Sequence, residues 1–456
     1  MTVAHPIAPA TAATAPAAHL AASAPTAGRD SAIDLVRAAC VVVVVMLHAL
    51  MAGVVLDATG PVFVNAADGA AWFAPLTWVV QIMPLFFVIG GFAGARGLDA
   101  HRARGGDATG FVAARVQRLL LPATLAVGAA GAALAALVLA GVDPAVIEIA
   151  GFRFAQPLWF LGVFLLCQAL LPVLHRAHRS ASLRTLGALA AAAVLVDIVR
   201  ATLGVDAIGI LNLAFVWLAL QQIGFFLADG RIDAFSRRTR SSVGLGAAGA
   251  LAVLMVTGVF SPDLFANLNP PTVALLLVGV AQTMALSLGR GALTRISLRP
   301  RVATFSDFVN ARTMTIYLWH MPVVLAMAGA LALAGMLFGF ALPVPSSPEW
   351  WLTRPLWWAG VASLTAVLAL VLAPLERRRP LRATTAPKRA ARAVISGVAA
   401  VVLLLAGGTT VGTAAIATGL LILSLAQARQ PRAVHDTVPE RSDRFGGVIS
   451  PLPTCN

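Results

Sequence analysis

Eleven apolar runs, each long enough to cross a lipid bilayer as a helix, recur along this chain of 456 residues. Hydrophobic residues make up 59% of the chain and charged residues 11%, whereas a soluble domain carries about 25% charged residues. The pattern excludes a soluble core. It predicts an all-α protein, a polytopic membrane helix bundle of about ten core transmembrane helices plus one extra C-terminal helix. The predicted helices cover residues 33–56, 71–95, 117–140, 157–174, 185–203, 208–228, 243–260, 271–289, 314–338, 355–374 and 394–426.

Basic residues mark one side of this predicted bundle. With the N-terminus and every second loop assigned to the cytoplasm, that side holds 26 of the 33 basic residues, and the outer loops hold three. This asymmetry predicts a multi-pass protein of the plasma membrane with a cytoplasmic N-terminus. The net charge of +14 is spread over short loops, so we expect the lipid bilayer and no nucleic acid as a partner. The three scattered cysteines match no metal-site spacing, and no metal is expected.

The chain divides into one membrane domain and the segments that flank it. Residues 1–30, rich in alanine, proline and threonine, are expected to form a disordered cytoplasmic extension. The membrane domain covers 31–376, and a basic cytoplasmic linker follows over 377–393. Residues 394–426 are predicted to form a single additional transmembrane helix, because the run is too short for an easy pair of spans. A disordered tail is expected over 427–456.

Two ionisable residues lie at opposite ends of the first apolar run. Arg37 precedes His48 by eleven positions, so on an α-helix their side chains fall within roughly 20° of one face and roughly 16 Å apart along the axis. Ionisable groups at that depth cost several kcal/mol unless they are paired or used, and the two are therefore predicted to line a polar cavity. A histidine that only packs between helices and an arginine that only anchors the helix end are the alternatives.

Three further motifs accompany this pair. They are PLFFVIGGF at 84–92, with a glycine pair typical of close helix packing, RVQRLLLP at 115–122, and IYLWHMP at 316–322. PLWFL at 157–161 supports the last of them. Together, in this order and at these distances, the motifs resemble the acyltransferase family 3 membrane proteins. The resemblance covers about residues 29–376.

The resemblance implies a membrane enzyme that moves an acyl group, acetyl being one candidate, from acyl-CoA to a hydroxyl group. Family members O-acylate sugars, cell-wall polymers, lipids and secondary metabolites, so the acceptor is expected to be a glycan, a lipid or another such molecule. The resemblance also implies that Arg115 and Arg118 contact the acyl-CoA. Arginine forks suit the diphosphate of coenzyme A, although the pair would also serve as a topological anchor. Tyr317 and His320 are expected to line the donor site, with a packing role as the alternative.

His48 is the general base that the resemblance implies. Acyl transfer to a hydroxyl group requires removal of the acceptor proton, and histidine suits this step because its pKa lies near neutrality. The resemblance also places Arg37 in the catalytic site, either as a hydrogen-bond donor to acyl-CoA or as a partner of Asp34 one turn earlier. A covalent acyl-histidine step remains open.

Two other functions remain open on the sequence alone. A transporter or permease would also show many helices and central ionisable residues, although no internal repeat is visible in this chain. A structural or regulatory protein would use the basic linker to contact anionic lipids. The Arg115 and Arg118 pair favours the acyltransferase, because a carrier has no need of phosphate-binding arginines.

Overall fold

The structure, a computed structural model, describes residues 30–57, 60–376 and 381–430. Most of the extension at 1–30 and of the tail at 427–456, and the arginines at 377–379, lie outside the described residues. In chain order the elements are α1 (Ser31–Met51), β1 (Ala52–Asp57), β2 (Gly60–Asn65), α2 (Phe73–Val80), α3 (Met83–Ala103), α4 (Ala108–Leu139), α5 (Pro144–Ala155), α6 (Leu158–Leu203), a 3-10 helix (Asp206–Leu211), α7 (Asn212–Ala228), α8 (Arg237–Val256), α9 (Val273–Ser297), α10 (Pro300–Ala311), α11 (Thr313–Phe338), α12 (Pro348–Val371), α13 (Ala373–Glu376), α14 (Pro387–Ala406) and α15 (Val411–Ala428).

Eleven helical segments of the described chain are long and apolar enough to cross a membrane. Their outer faces expose large apolar side chains such as Leu245, Val253 and Leu364, which lipid chains solvate well. Their backbone groups are paired within the helices, as a bilayer requires. The predicted all-α bundle is therefore confirmed, and the protein is a multi-pass integral membrane protein.

The first predicted helix ends earlier than expected. Helix α1 stops at Met51, and the chain continues as β1, which pairs antiparallel with β2. Gly53 disfavours helix, and the β-branched residues Val54 and Val55 fit a strand that faces Phe63 and its neighbours. The two strands form a small antiparallel sheet that follows α1 directly and packs beside α11.

Helix α6 contains two of the predicted spans. Its 46 residues would be roughly 69 Å long if straight, about twice the thickness of a bilayer core. The backbone leaves the helical region at Ala181, with φ −153° and ψ 61°, and divides α6 into two legs. The first leg runs in the same direction as α7, because Trp217 stacks on Trp159 and Gln222 bonds His178 further along.

The second leg of α6 runs against α7. Near the end of α7, Gln222 donates to the carbonyl of Ser182, whereas at its start Asn212 donates to the carbonyl of Ala193. The chain therefore reverses at Ala181, and the two legs correspond to the separate helices predicted at 157–174 and 185–203.

The single helix predicted over 394–426 is wrong. The structure has two helices there, α14 and α15, joined by a turn in which Gly408 has φ +67°. Thr410 and Thr413 form a capping box that starts the second helix. The first helix begins at Pro387, inside the stretch expected to be a linker, and this supplies the residues that a second span needs. The last described residues therefore return to the level of Thr384, whose amide donates to the Ala428 carbonyl at 3.0 Å.

This C-terminal hairpin packs closely against the rest of the bundle. Gln117 of α4 donates to the Ala428 carbonyl at 2.9 Å, and Ser424 donates to the Ala393 carbonyl at 2.5 Å between the two helices. A Cβ atom on Gly397 would come within 2.6 Å of the tip of Leu120, so the glycine lets Leu120 keep its position at this contact. Small residues at such contacts let helix backbones approach in a membrane.

Ionic and polar bonds hold the start of α1. Arg290 of α9 bridges Asp30, which caps α1, and Asp233, which precedes α8. The hydroxyl of Ser297 donates to Ser31 at 2.8 Å. We call this end of the bundle, where α1 begins, the basic end.

Candidate functional site

Helix α1 brings Arg37 and His48 to one cavity. Both side chains line it, as the helical spacing predicts. The capping carboxylate of Asp30 accepts from the Ile33 amide and starts the helix six residues before Arg37. The run of valines between the two residues forms one apolar wall of the cavity.

Helix α4 contributes two more arginines to the same cavity. Arg115 and Arg118 line it near the basic end, together with Arg37. The Arg115 guanidinium lies over the Phe111 ring at 5.0 Å, and Gly97 leaves room for its tip because a Cβ there would lie 2.8 Å from Nη2. Three arginines thus face one space, a composition that suits a polyanionic ligand.

Arg37 is held in a defined orientation. Its Nε donates to Asn310 Oδ1 at 2.7 Å, and its Nη2 lies 3.0 Å from the carboxylate of Asp34. Asn310 also donates to the Asp34 backbone carbonyl at 2.8 Å, so the three residues form one network. Sequence reasoning missed Asn310, because a lone asparagine at the end of a short helix carries no recognisable motif.

His48 contacts a second histidine. Nε2 of His320 lies 3.1 Å from Nδ1 of His48, and the two ring centroids are 5.0 Å apart. His320 was expected to line the donor site, but it is fully buried beside His48 and is not among the side chains that face the cavity. The separation of 272 positions explains why no local pattern indicated the pair.

The partners of the two rings determine where their protons lie. Nδ1 of His320 is 2.6 Å from the Tyr317 carbonyl oxygen, which can only accept, so in the neutral ring Nδ1 carries the hydrogen and Nε2 a lone pair. Nδ1 of His48 faces both that lone pair and the Val44 carbonyl at 3.0 Å, so it donates. Nε2 of His48 is therefore the basic nitrogen of the pair, and the residue lines the cavity.

The histidine pair lies near the middle of the bundle. Seventeen residues of α1 separate Ser31 from His48, a rise of about 25 Å, and eighteen residues of α11 separate His320 from Phe338, about 27 Å. Arg37 contacts Asn310 just before α11, and His48 contacts His320 further along, so α1 and α11 run in the same direction. The two distances therefore extend from the histidines towards opposite ends of the bundle. The basic nitrogen is thus remote from both ends.

Tyr317 joins two of the sequence motifs. Its hydroxyl donates to the Pro157 carbonyl at 2.6 Å, and its ring packs against Phe160 while it lines the cavity. The contact fixes the start of α6 against α11 at the level of the histidines. Tyr317 thus borders the cavity with its ring, and its hydroxyl is used in packing.

A broken helix forms the wall opposite α11. The predicted helix 71–95 is interrupted at Gln81, and the break lines the cavity. Gln282 of α9 donates to the Gln81 carbonyl at 2.7 Å and accepts from the Leu85 amide at 3.1 Å, so backbone groups exposed by the break are paired. Pro84 at the second position of α3 is a sequence signal for a helix start and could have indicated the break.

Two tryptophans hold the last turn of α1. Trp357 donates to the Ala49 carbonyl at 2.8 Å, and Trp358 donates to the Met46 carbonyl at 3.2 Å. These carbonyls flank His48 in the chain, and the last carbonyls of a helix have no partner within it. Helix α12 therefore stabilises the position of His48 through the backbone.

Comparison with known families agrees with this arrangement. A family model described as an acyltransferase domain, the acyltransferase 3 type, matches residues 30–374. Searches of curated proteins and of solved structures found no match. The matched region extends from α1 to α13 and contains every cavity-lining residue named above.

The chain belongs to the acyltransferase 3 family. It is a multi-pass integral membrane acyltransferase. The resemblance seen in the sequence is confirmed, whereas the roles of individual residues remain predictions. The C-terminal hairpin, α14 and α15, lies beyond the matched region.

Proposed function

We propose that this acyltransferase moves an acyl group from acyl-CoA to a hydroxyl group of a glycan, lipid or other cell-envelope or secondary-metabolite acceptor. The observation that carries the proposal is a single cavity that joins three arginines to the basic nitrogen of His48. Phosphate recognition and proton removal, the two requirements of this reaction, thereby share one space.

The donor lies along α1 in this proposal. Arg115 and Arg118 bind the diphosphate and ribose phosphate of coenzyme A near the basic end, and Arg37 adds a third positive charge. The rise of roughly 16 Å from Arg37 to His48 is comparable to an extended pantetheine arm. Valine side chains of α1 and Met314 line the path between them, and such apolar walls suit the arm. The thioester then lies beside His48.

His48 carries the proton during transfer. Its Nε2 accepts the proton of the acceptor hydroxyl as that oxygen bonds to the thioester carbon. The carbon–sulfur bond breaks, and the departing coenzyme A thiolate takes the proton from His48. The imidazolium that exists between these steps is stabilised by the Val44 carbonyl and by the lone pair on His320. His320 is thus a positioning residue that acts through His48.

The protein lies in the plasma membrane with its N-terminus in the cytoplasm in this proposal. Basic residues concentrate at the basic end, and the C-terminal hairpin returns Arg429 to the same end as Lys388. Positive residues favour the cytoplasmic side of a membrane. The orientation also gives the arginines of the cavity access to cytoplasmic acyl-CoA.

The direct test measures acyl-CoA consumption by the purified protein in lipid nanodiscs. The readout is the free thiol of the coenzyme A that the reaction releases. His48→Ala should lower turnover by about 10²–10⁴-fold, because general base catalysis contributes this much. His101→Ala is the matched control, since His101 lies outside the cavity, and it should keep wild-type turnover. A His48→Ala protein that consumes acyl-CoA at the wild-type rate would remove the catalytic assignment of His48.

A further inference from the structure

The cavity continues past His48 on the side away from the basic end. Leu47, the chain neighbour of His48, packs with Val80 and Phe265 beside Met51, the last residue of α1. The same part of the cavity is also lined by Ile82 and Met83 at the helix break and by Leu268 in the loop between α8 and α9. We call these six residues the apolar chamber.

The apolar chamber has little to offer a polar ligand. Gln81 lies between Val80 and Ile82 in the chain and lines the cavity with them, and both ends of its amide are used. Its Nε2 donates to the Leu264 carbonyl at 3.2 Å, and its Oε1 accepts from the Met83 amide. A sugar ring bound there would leave several hydroxyl groups without partners, at a cost of about 1–3 kcal/mol each.

We infer that the apolar chamber holds the acyl chain of the donor and that this chain is longer than acetyl. The inference rests on the proposed function, which brings the thioester carbon to His48. Of the donor, only the acyl substituent continues past that carbon, and its methylene groups match the walls. An acetyl group would present a single methyl group to these six apolar side chains.

The test is a series of straight-chain donors, from acetyl-CoA through butyryl-CoA and hexanoyl-CoA to octanoyl-CoA, given to the full-length protein in nanodiscs. Water serves as the acceptor, so His48 takes its proton and thiol release requires no identified acceptor. Binding of each donor is measured in parallel. Each methylene group that enters the chamber should improve binding by up to about fourfold.

Val80→Trp fills the apolar chamber, and Val79→Trp is its matched control. Val80 lines the cavity, whereas its neighbour Val79 is 76% exposed on the outer surface. We expect Val80→Trp to move the preferred chain length towards acetyl, because the indole takes the space that the longer chains would fill. Val79→Trp should keep the wild-type preference.

Three results would overturn the inference. Wild-type protein that binds and uses acetyl-CoA best excludes a chain in the chamber. A Val80→Trp protein that loses turnover equally for every donor, with donor binding unchanged, places the acceptor there instead. Equal shifts in chain-length preference for Val80→Trp and Val79→Trp would show that the cavity-lining position of Val80 does not set the preference. By contrast, chain-length-dependent binding without any turnover contradicts the proposed function and leaves the chamber as an acyl-binding site.

Discussion

At the scale of the residue, the proposed catalysis depends on how the rings of His48 and His320 share their protons. The Tyr317 and Val44 carbonyls accept from one nitrogen of each ring, and the contact between the rings accounts for a third nitrogen. The fourth, Nε2 of His48, is the nitrogen that we propose as the base, and His48 lines the cavity. A neutral partner ring can stabilise the imidazolium of His48 without introducing a carboxylate.

His320→Ala tests this pairing. Loss of the acceptor for His48 Nδ1 should lower kcat about tenfold to a hundredfold, equivalent to one strong hydrogen bond, and leave the KM for acyl-CoA unchanged. His320→Gln should recover part of the rate, because its amide oxygen can accept the same bond. A His320→Ala protein with normal kcat and raised KM would contradict the positioning role.

Arg115→Ala and Arg118→Ala test the phosphate contacts. Each should raise the KM for acyl-CoA by about tenfold to a hundredfold, because each removes a charge-assisted hydrogen bond worth about 1.5–3 kcal/mol. Arg102 and Arg104 lie at the same end of the bundle outside the cavity, and their alanine variants are the control. If all four variants keep the wild-type KM, the donor does not bind at these arginines.

At the scale of the element, one helix crossing supports the cavity wall. Gly91 of α3 faces the backbone of α7, where its Cβ would lie 2.1 Å from the Gln221 carbonyl oxygen. Gly224 meets α3 in the same way, since its Cβ would lie 2.1 Å from the Val88 carbonyl oxygen. Backbone atoms cannot move aside as a side chain can, so both glycines are needed for this close approach.

Gly91→Ala should therefore destabilise the protein, by about 1–3 kcal/mol from the forced separation of α3 and α7. Gly90→Ala is the matched control, because its Cβ would meet only the Phe164 ring, at 3.2 Å. Thermal unfolding in detergent should give a lower Tm for Gly91→Ala than for Gly90→Ala. Equal Tm values for the two would show that the crossing tolerates a methyl group.

At the scale of the whole molecule, the C-terminal hairpin decides on which side of the membrane the last described residues lie. Because α6 crosses the membrane as two legs and the C-terminal hairpin adds two helices, the described chain crosses the membrane an even number of times. The last described residues therefore lie at the basic end with the start of α1. A fluorescent protein fused after the last residue should fold in the cytoplasm and fluoresce, whereas an alkaline phosphatase fusion should stay inactive. An active phosphatase fusion would contradict the hairpin or the proposed orientation.

Several features of the fold could be predicted because they depend on local patterns. Apolar runs predict helices, and the spacing of Arg37 and His48 places both on the face that lines the cavity. The hairpin was missed because Lys388 and Arg389 were assigned to a linker. Both belong to the first turn of α14, which lies at the basic end where such charges are solvated.

Contacts between distant segments could not be predicted in this way. His320 and Asn310 reach their partners across more than 250 positions, and only the packing of α1 against α10 and α11 brings them together. No periodicity in a single chain encodes such a contact. The family resemblance indicated the motif around His320 but not its contact with His48.

A structure of the protein with a thioether analogue of acyl-CoA would locate the donor relative to the arginines and to His48. We expect the diphosphate against Arg115 and Arg118, with the carbon next to sulfur about 5–6 Å from Nε2 of His48, enough for one hydroxyl group between them. The acyl chain would then enter the apolar chamber. A diphosphate bound away from the two arginines, or a reactive carbon that does not reach Nε2, would exclude the proposed reaction geometry.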